Sequence, residues 1–202
     1  MQKDMFRKDG RLSFESCLPT IDFSCDLLNG KVIYKKGLNT IEVSLLEPLE
    51  KSLFKCNIKC AYDDKITDRV LFQYKNKIET VFYEICSVTS CIYLDIFVVN
   101  SNSNFLDSIF NSVTFCLLYN GVSLSDVPIA VNFSSFVDIS CFEQKSSFSG
   151  FLVMLYNSKK IIFFECNGQF LKHEFLENMK NANALCNIYF SFFKQELEKL
   201  LK

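Results

Sequence analysis

Ten cysteines, one histidine and three arginines are the raw material from which this 202-residue chain would have to build metal, thiol or phosphate chemistry. The cysteines do not fall at metal-ligand spacing. Cys17, Cys25, Cys86, Cys91, Cys116, Cys141, Cys166 and Cys186 are scattered among apolar neighbours. Cys56 and Cys60, in CNIKC, form the only close pair, and no second pair follows at zinc spacing. His173 stands among polar residues with no cysteine at ligand spacing. The cysteines therefore read as reduced thiols filling a core as small apolar groups, with no metal or cofactor expected. The arginines are Arg7, Arg11 and Arg69, and none occurs between Arg69 and the last residue, Lys202. A reaction that brings two anions together needs guanidinium groups or aligned donors. Most of this chain has no guanidinium to offer. Asp138 is a candidate carboxylate, and Lys51, Lys55 and Lys59 are candidate cations for a polyanion.

Charge sets a further bound. There are 22 basic and 23 acidic residues, a formal net charge of −1. A free-standing nucleic-acid binder takes most of its affinity from phosphate contacts and usually carries a basic excess. Any RNA contact here must be local or shared with neighbouring chains. The N-terminal MQKDMFRKDGR is polar and does not read as a signal peptide. No apolar run approaches the roughly 20 residues of a membrane span. Together with the unpaired cysteine pattern, this predicts a reducing compartment, cytosol or nucleus, and no membrane partner.

These residues must be positioned by elements, and the apolar periodicity predicts them. Residues 17–28 and 31–36 read as strands joined at Asn29-Gly30, a hairpin dipeptide. Thr40 to Leu46 alternates and is β-branched, and residues 53–62 fit another strand. Over 73–88 the period changes: Ile78, Val81, Phe82, Ile85 and Cys86 fall at helical spacing. Cys91 to Asn100 (CIYLDIFVVN) is nearly all apolar, which predicts a strand buried on both faces. Asn104 could cap the next helix, with Leu106, Ile109, Phe110, Val113, Cys116 and Leu117 as its buried stripe. Asn120-Gly121 ends it with a left-handed residue. Strands follow at 128–137, 150–156 and 160–166, and Gly168 turns the chain into a long last helix. There Phe175, Leu176, Met179, Ala182, Leu185, Cys186, Tyr189, Phe190, Phe193 and Leu197 line one side. Pattern alone predicts a soluble α+β domain of mixed sheets packed with helices.

A collinear series of motifs narrows this. RKDGR, with Arg7, Asp9, Gly10 and Arg11, is similar to the Asp-Gly-Arg opening of the RNase PH superfamily. NGKVIYKKGLNTIEVSLLEPLE (29–50) resembles that family's strand, Gly-Asn-Thr turn, strand and Gly-Pro-Arg-Glu loop. The turn here is Gly37-Leu38-Asn39-Thr40, one residue longer, and the loop is Glu47-Pro48-Leu49-Glu50. Residues 91–132 are similar to the central strand, main helix and following strand, with Asn111 and Gly121 matching. VDISCFEQ (137–144) and the tail from 167 to 199 complete the series. The chain thus resembles the small RNase PH-like ring subunits of the eukaryotic RNA exosome, over roughly residues 6–200. The resemblance implies an RNase PH-like fold, of the ribosomal protein S5 domain 2-like kind, as a single domain over residues 1–202.

The same resemblance implies a degenerate site. Active members attack an RNA phosphodiester with inorganic phosphate, and arginines hold that phosphate. The position of the arginine before the central strand falls at about Cys91. The Thr-Arg pair that opens the main helix and holds phosphate falls at about Phe105 and Leu106. The catalytic aspartate falls at about Ser149 or Gly150. Apolar groups cannot compensate the desolvation of a bound phosphate. Asp138 remains, and a role as a loop brace is preferred to one as a catalytic relic. Lys51 lies in the loop resembling the channel-facing region, with Lys55 and Lys59 after it, so Lys51 is the candidate RNA-channel residue. Lys35 and Lys36 read as turn residues at a strand end.

The implied function is a non-catalytic structural subunit of the exosome core ring, supporting 3'-5' RNA processing and degradation. Its implied partners are other RNase PH-like ring subunits and cap subunits in a hetero-oligomer, with RNA passing through the channel. Nucleus, including nucleolus, and cytoplasm are the implied locations. The alternatives are a divergent phosphorolytic 3'-5' exoribonuclease and an unrelated α+β interaction domain.

Overall fold

In the computed structural model, the described residues are 7, 10–11, 15–24, 30–46, 54–61, 66–86, 91–101, 105–134, 138, 148–169 and 171–200. They divide into two compact units, Pro19–Val127 on one hand and Met1–Leu18 with Pro128–Lys202 on the other.

The unit Pro19–Val127 is built on a five-stranded sheet. Its strands are β1 (Thr20–Ser24), β2 (Lys31–Lys36), β3 (Asn39–Leu46), β4 (Phe54–Cys60) and β5 (Ile92–Asn100), in the order β1-β2-β3-β5-β4. The pairings are antiparallel except β4 with β5, which run parallel because helix α1 (Asp68–Ile85) connects them. Strand alternation puts Val32, Tyr34, Ile41, Val43, Ile58, Leu94 and Ile96 on one face, all of them buried. Both α1 and α2 (Leu106–Tyr119) pack against this sheet. On α1 the buried residues are Ile78, Val81, Phe82 and Ile85, as the helical spacing predicts, although the helix begins five residues earlier than the periodicity indicates. Phe82 stacks between Phe54 of β4, at 5.5 Å, and Phe110 of α2, at 5.9 Å. These offset aromatic contacts add to the simple burial of area.

Helix α2 is more deeply set than its stripe suggests. Every residue from Leu106 to Leu117 is buried, including Ser108, Asn111, Ser112 and Thr114. Two of those hydroxyls are satisfied inside the helix: Ser112 Oγ donates to the Ile109 carbonyl at 2.8 Å and Thr114 Oγ1 to the Phe110 carbonyl at 3.0 Å. Asn104 lies outside the described residues; Phe105 stands at the cap position and makes no side-chain cap bond. Gly121, at φ +67°, ends the helix in the left-handed region as expected. Gly30 is required for a reason other than its turn. A Cβ there would sit 1.7 Å from Asn120 Oδ1, and Asn120 Nδ2 donates to the Gly30 carbonyl at 3.1 Å.

The second unit has a three-stranded antiparallel sheet, β6 (Pro128–Phe133), β7 (Phe148–Leu155) and β8 (Ile161–Gly168), followed by α3 (Lys172–Leu200). β6 is buried throughout and packs on α3. Asn178, Ala182, Leu185, Cys186, Tyr189 and Phe193 form the buried stripe of α3. Leu176 departs from the expected list: it is exposed, because it lies two residues before Asn178 and so nearly opposite the stripe. No described helix is long and apolar enough to cross a membrane.

The prediction for β5 needs a larger correction. Only one face of that strand is buried; Tyr93 and Asp95 are half-exposed, and Phe97 and Val99 are exposed. The strand reads as doubly buried because aromatic and branched residues occupy its open face as well.

Candidate functional site

The positions singled out from the sequence fall into two groups, one in each unit. Cys91, Phe105 and Leu106 belong to Pro19–Val127. Asp138, Ser149 and Gly150 belong to the other unit.

At the start of α2, Phe105 is buried and meets Tyr74 edge-to-face at 5.4 Å, and Leu106 is buried beside it. Cys91, half-buried, directly precedes β5. The first turn of α2 carries a charge pair that the sequence does not announce. Lys36, the last residue of β2, places its ammonium 2.5 Å from Asp107 Oδ2, and both side chains are buried. Lys36 is thus no solvated turn residue. Strand alternation turns it inward with Val32 and Tyr34, and α2 supplies its counter-charge. Across the turn, Asn39, the strand partner of Lys36, donates from Nδ2 to Ser108 Oγ at 3.3 Å. The β2–β3 hairpin is therefore tied to the opening turn of α2 by two polar contacts. Asp107 also suits that turn electrostatically, since a carboxylate near a helix N-terminus is favoured by the macrodipole. The opening turn of α2 therefore holds buried apolar Phe105 and Leu106 and a carboxylate whose charge Lys36 already balances.

In the second group Asp138 is buried, with φ +57°. Its Oδ2 accepts from Arg11 Nη1 at 3.2 Å and from the Cys17 backbone N–H at 2.6 Å. Its carbonyl accepts from Arg7 Nη2 and Arg11 Nη2, each at 2.9 Å, and its N–H donates to the Asn132 carbonyl at 2.8 Å. Both guanidinium groups also reach the Glu15 carbonyl, at 3.2 and 3.4 Å. Two of the three arginines are therefore engaged in fastening the N-terminal segment to residue 138. The third, Arg69, is exposed in the first turn of α1. The segment is held at its other end by Tyr189, whose hydroxyl donates to the Cys17 carbonyl at 3.4 Å. Sequence reading missed this cluster, because Arg7 and Asp138 lie 131 positions apart. Its one legible sign was an N-terminus holding two of three arginines.

Ser149 is exposed on β7, opposite Asn167. Gly150 is buried opposite Phe133, and a Cβ at that position would lie 2.1–2.6 Å from the Phe133 ring. That ring also stacks on Phe164 at 6.1 Å. Residue 150 therefore has no room for a carboxylate unless Phe133 moves. Lys51 lies outside the described residues, as do Cys25 and Cys141.

Burial favours the neutral thiol at Cys56, Cys86, Cys116, Cys166 and Cys186. Burial pushes Cys56, Cys116 and Cys186 up to about 12 and Cys86 up to about 11, with the Glu79 carboxylate adding to the effect at Cys56. Their ordinary value is 9.0, so at pH 8 the Cys56 thiolate fraction falls about a thousandfold. Iodoacetamide at pH 8 should alkylate Cys56, Cys116 and Cys186 at least tenfold more slowly in the native chain than in urea; peptide mass mapping would check this. The linkage sign follows from the same shifts. The unfolded chain gives up thiol protons above pH 9 that the native chain keeps, so this stabilisation is complete below pH 9 and declines towards pH 12. Among the described residues, no three His, Cys, Asp or Glu side chains lie close enough together to hold a metal ion.

No protein-family model matches this sequence, and no curated protein matches it either. The three-dimensional comparison decides the fold. The chain is similar to the crystal structure of rice (Oryza sativa) Rrp46, with a TM-score of 0.81 over 95% of this chain and 100% of that one, at 15% identity. The fold is RNase PH-like. Within the RNase PH-like fold, the turn Gly37 to Thr40 belongs to the β2–β3 hairpin that delivers Lys36 and Asn39 to α2.

Proposed function

We propose that this chain is a non-catalytic structural subunit of an exosome core ring, supporting 3'-5' RNA processing and degradation, including that of ribosomal RNA. The observation that carries this reading is the likeness to rice Rrp46, which spans that chain from end to end. In this reading the chain assembles with other RNase PH-like ring subunits and with cap subunits as a hetero-oligomer. RNA then passes through the shared channel, and Lys51 helps line it. The nucleus, including the nucleolus, and the cytoplasm are where such a ring would work.

Three features support the absence of catalysis. The opening of α2 holds the chain's own Lys36–Asp107 pair and two apolar residues in place of phosphate ligands. Arg7 and Arg11 are engaged with Asp138. Phe133 fills the space in which a carboxylate at residue 150 would stand. A site prepared for two anions would instead present free cations and donors.

Assembly is the direct test. The tagged full chain, purified from its own cells at physiological salt, should bring down other RNase PH-like chains in near-equal amounts at the mass of a ring. Recovery of the chain alone, or with proteins lacking that fold, would refute ring membership.

A further inference from the structure

Among the described residues β4 is the last strand of its sheet, so one row of its backbone groups faces away from β5. The parallel pairing fixes which row that is. Just past the strand, the Ala61 N–H donates to the Val98 carbonyl of β5 at 2.8 Å. Amides along a strand alternate between its two edges. Lys55, Asn57 and Lys59 therefore direct theirs to β5, and Phe54, Cys56, Ile58 and Cys60 direct theirs outward. An outward row of this kind is a template for a strand from another chain.

Helix α1 reaches over that row. Ile78 and Phe82 are buried, and Glu79, half-buried, follows Ile78 round the helix. Glu79 Oε1 accepts from the outward N–H of Cys56 at 3.0 Å. The same carboxylate lies 3.7 Å from Lys55 Nζ and 3.9 Å from Lys75 Nζ. Those ion pairs are partly solvated and contribute little. The bond to the backbone differs, because an ionised acceptor makes a hydrogen bond roughly twice as strong as a neutral one.

We infer that Glu79 closes the β4 edge against a second copy of this chain. Two copies related by a two-fold axis would pair their β4 strands antiparallel. With outward groups on Cys56 and Ile58, the register that joins them sets Cys56 opposite Ile58 of the other copy and Asn57 opposite itself. That pairing requires the Cys56 N–H, which Glu79 already holds. It also sets Lys55 opposite Lys59 of the other copy, and like charges directly opposite are unfavourable. Both lysines are exposed. The edge is thus closed twice, by an acceptor in the plane of the sheet and by lysines on its open face. The rest of β4 suits strand addition, since its seven residues, FKCNIKC, include no proline or glycine. Helix and strand lie in one unit, so ring membership is not a condition for this closure.

Sedimentation velocity of the full chain at about 50 and 500 mM salt tests it, each variant being read against the parent chain under the same conditions. Glu79→Ala should at least double the dimer fraction at high salt, where the lysines are screened, and change it less at low salt. Adding Lys55→Thr and Lys59→Thr to Glu79→Ala should give dimers at both salts. Glu79→Gln keeps an oxygen acceptor for Cys56 and should sediment like the parent. Glu79→Asp keeps the charge but falls short of Cys56. It should behave like Glu79→Ala, and it keeps the test decisive if the alanine variant unfolds. Amide exchange followed by NMR locates the contact. In dilute Glu79→Ala the Cys56 amide should exchange about tenfold faster than in the parent, and in concentrated samples Cys56 and Ile58 should both regain protection. Alanine and aspartate variants that both sediment like the parent at high salt would overturn the inference. So would dimers without protection at Cys56 and Ile58.

Discussion

Lys36→Met should destabilise the chain by about 3–5 kcal/mol, a large share of the 5–15 kcal/mol expected for a domain of this size. The ammonium lies 2.5 Å from Asp107 Oδ2, and both groups are buried. Removing it leaves the Asp107 carboxylate in a low-dielectric setting without this counter-charge, and water cannot replace the lost partner. The cost is therefore the uncompensated charge and not the modest net worth of an ion pair. That distinction gives the experiment its control. Lys36→Met combined with Asp107→Leu removes both charges, and apolar replacement of a whole buried pair is often neutral. The double variant should be more stable than Lys36→Met alone. Urea unfolding followed by circular dichroism measures both. A loss below about 1 kcal/mol for Lys36→Met would show the pair to be solvated.

The second large effect is expected at Asp138. Asp138→Ala should cost about 3 kcal/mol, from two sources. The carboxylate accepts from Arg11 and from the Cys17 N–H, and hydrogen bonds to a charged group contribute about 1.5–3 kcal/mol. The residue also sits at φ +57°, where aspartate and asparagine are tolerated and alanine costs roughly 1 kcal/mol. Asp138→Asn keeps the backbone preference and loses only the charge, so it should be the milder change. Near-equal stability of parent and alanine variants would remove the bracing role. Proteolysis supplies an independent readout: the segment around Arg11 and Cys17 should be cut faster in the alanine variant, because the carboxylate contacts to Arg11 and the Cys17 N–H are lost while the carbonyl contacts to Arg7 and Arg11 remain.

The fold and these two clusters were unequally legible in the sequence. The buried stripes of α1 and α2 were readable because helical periodicity is local, and Gly121 was readable as a helix end because a left-handed stop favours glycine. β5 was misread on one side. Phe97 and Val99 are as apolar as the core residues Leu94 and Ile96, and hydropathy cannot say which face of a strand is covered. Lys36 was misread because its partner depends on which way β2 faces and on which residue of α2, Asp107, 71 positions later, meets it. The Arg7, Arg11 and Asp138 cluster was illegible for the same reason over a longer separation. The steric demand at Gly150 needed the register of β6 and β7, which sets Phe133 opposite it. Family resemblance could mark residues 105, 106, 149 and 150 as altered. Only coordinates could show that a charge pair and an aromatic ring occupy the neighbouring space.

The proposed absence of phosphorolysis is tested on the chain directly. The purified chain would be incubated with single-stranded RNA, inorganic phosphate and Mg²⁺, with nucleoside diphosphates followed by chromatography. The account predicts no release above the protein-free control, both for the parent chain and for Gly150→Asp. Sustained release of nucleoside diphosphates by the parent chain, proportional to its concentration, would contradict it.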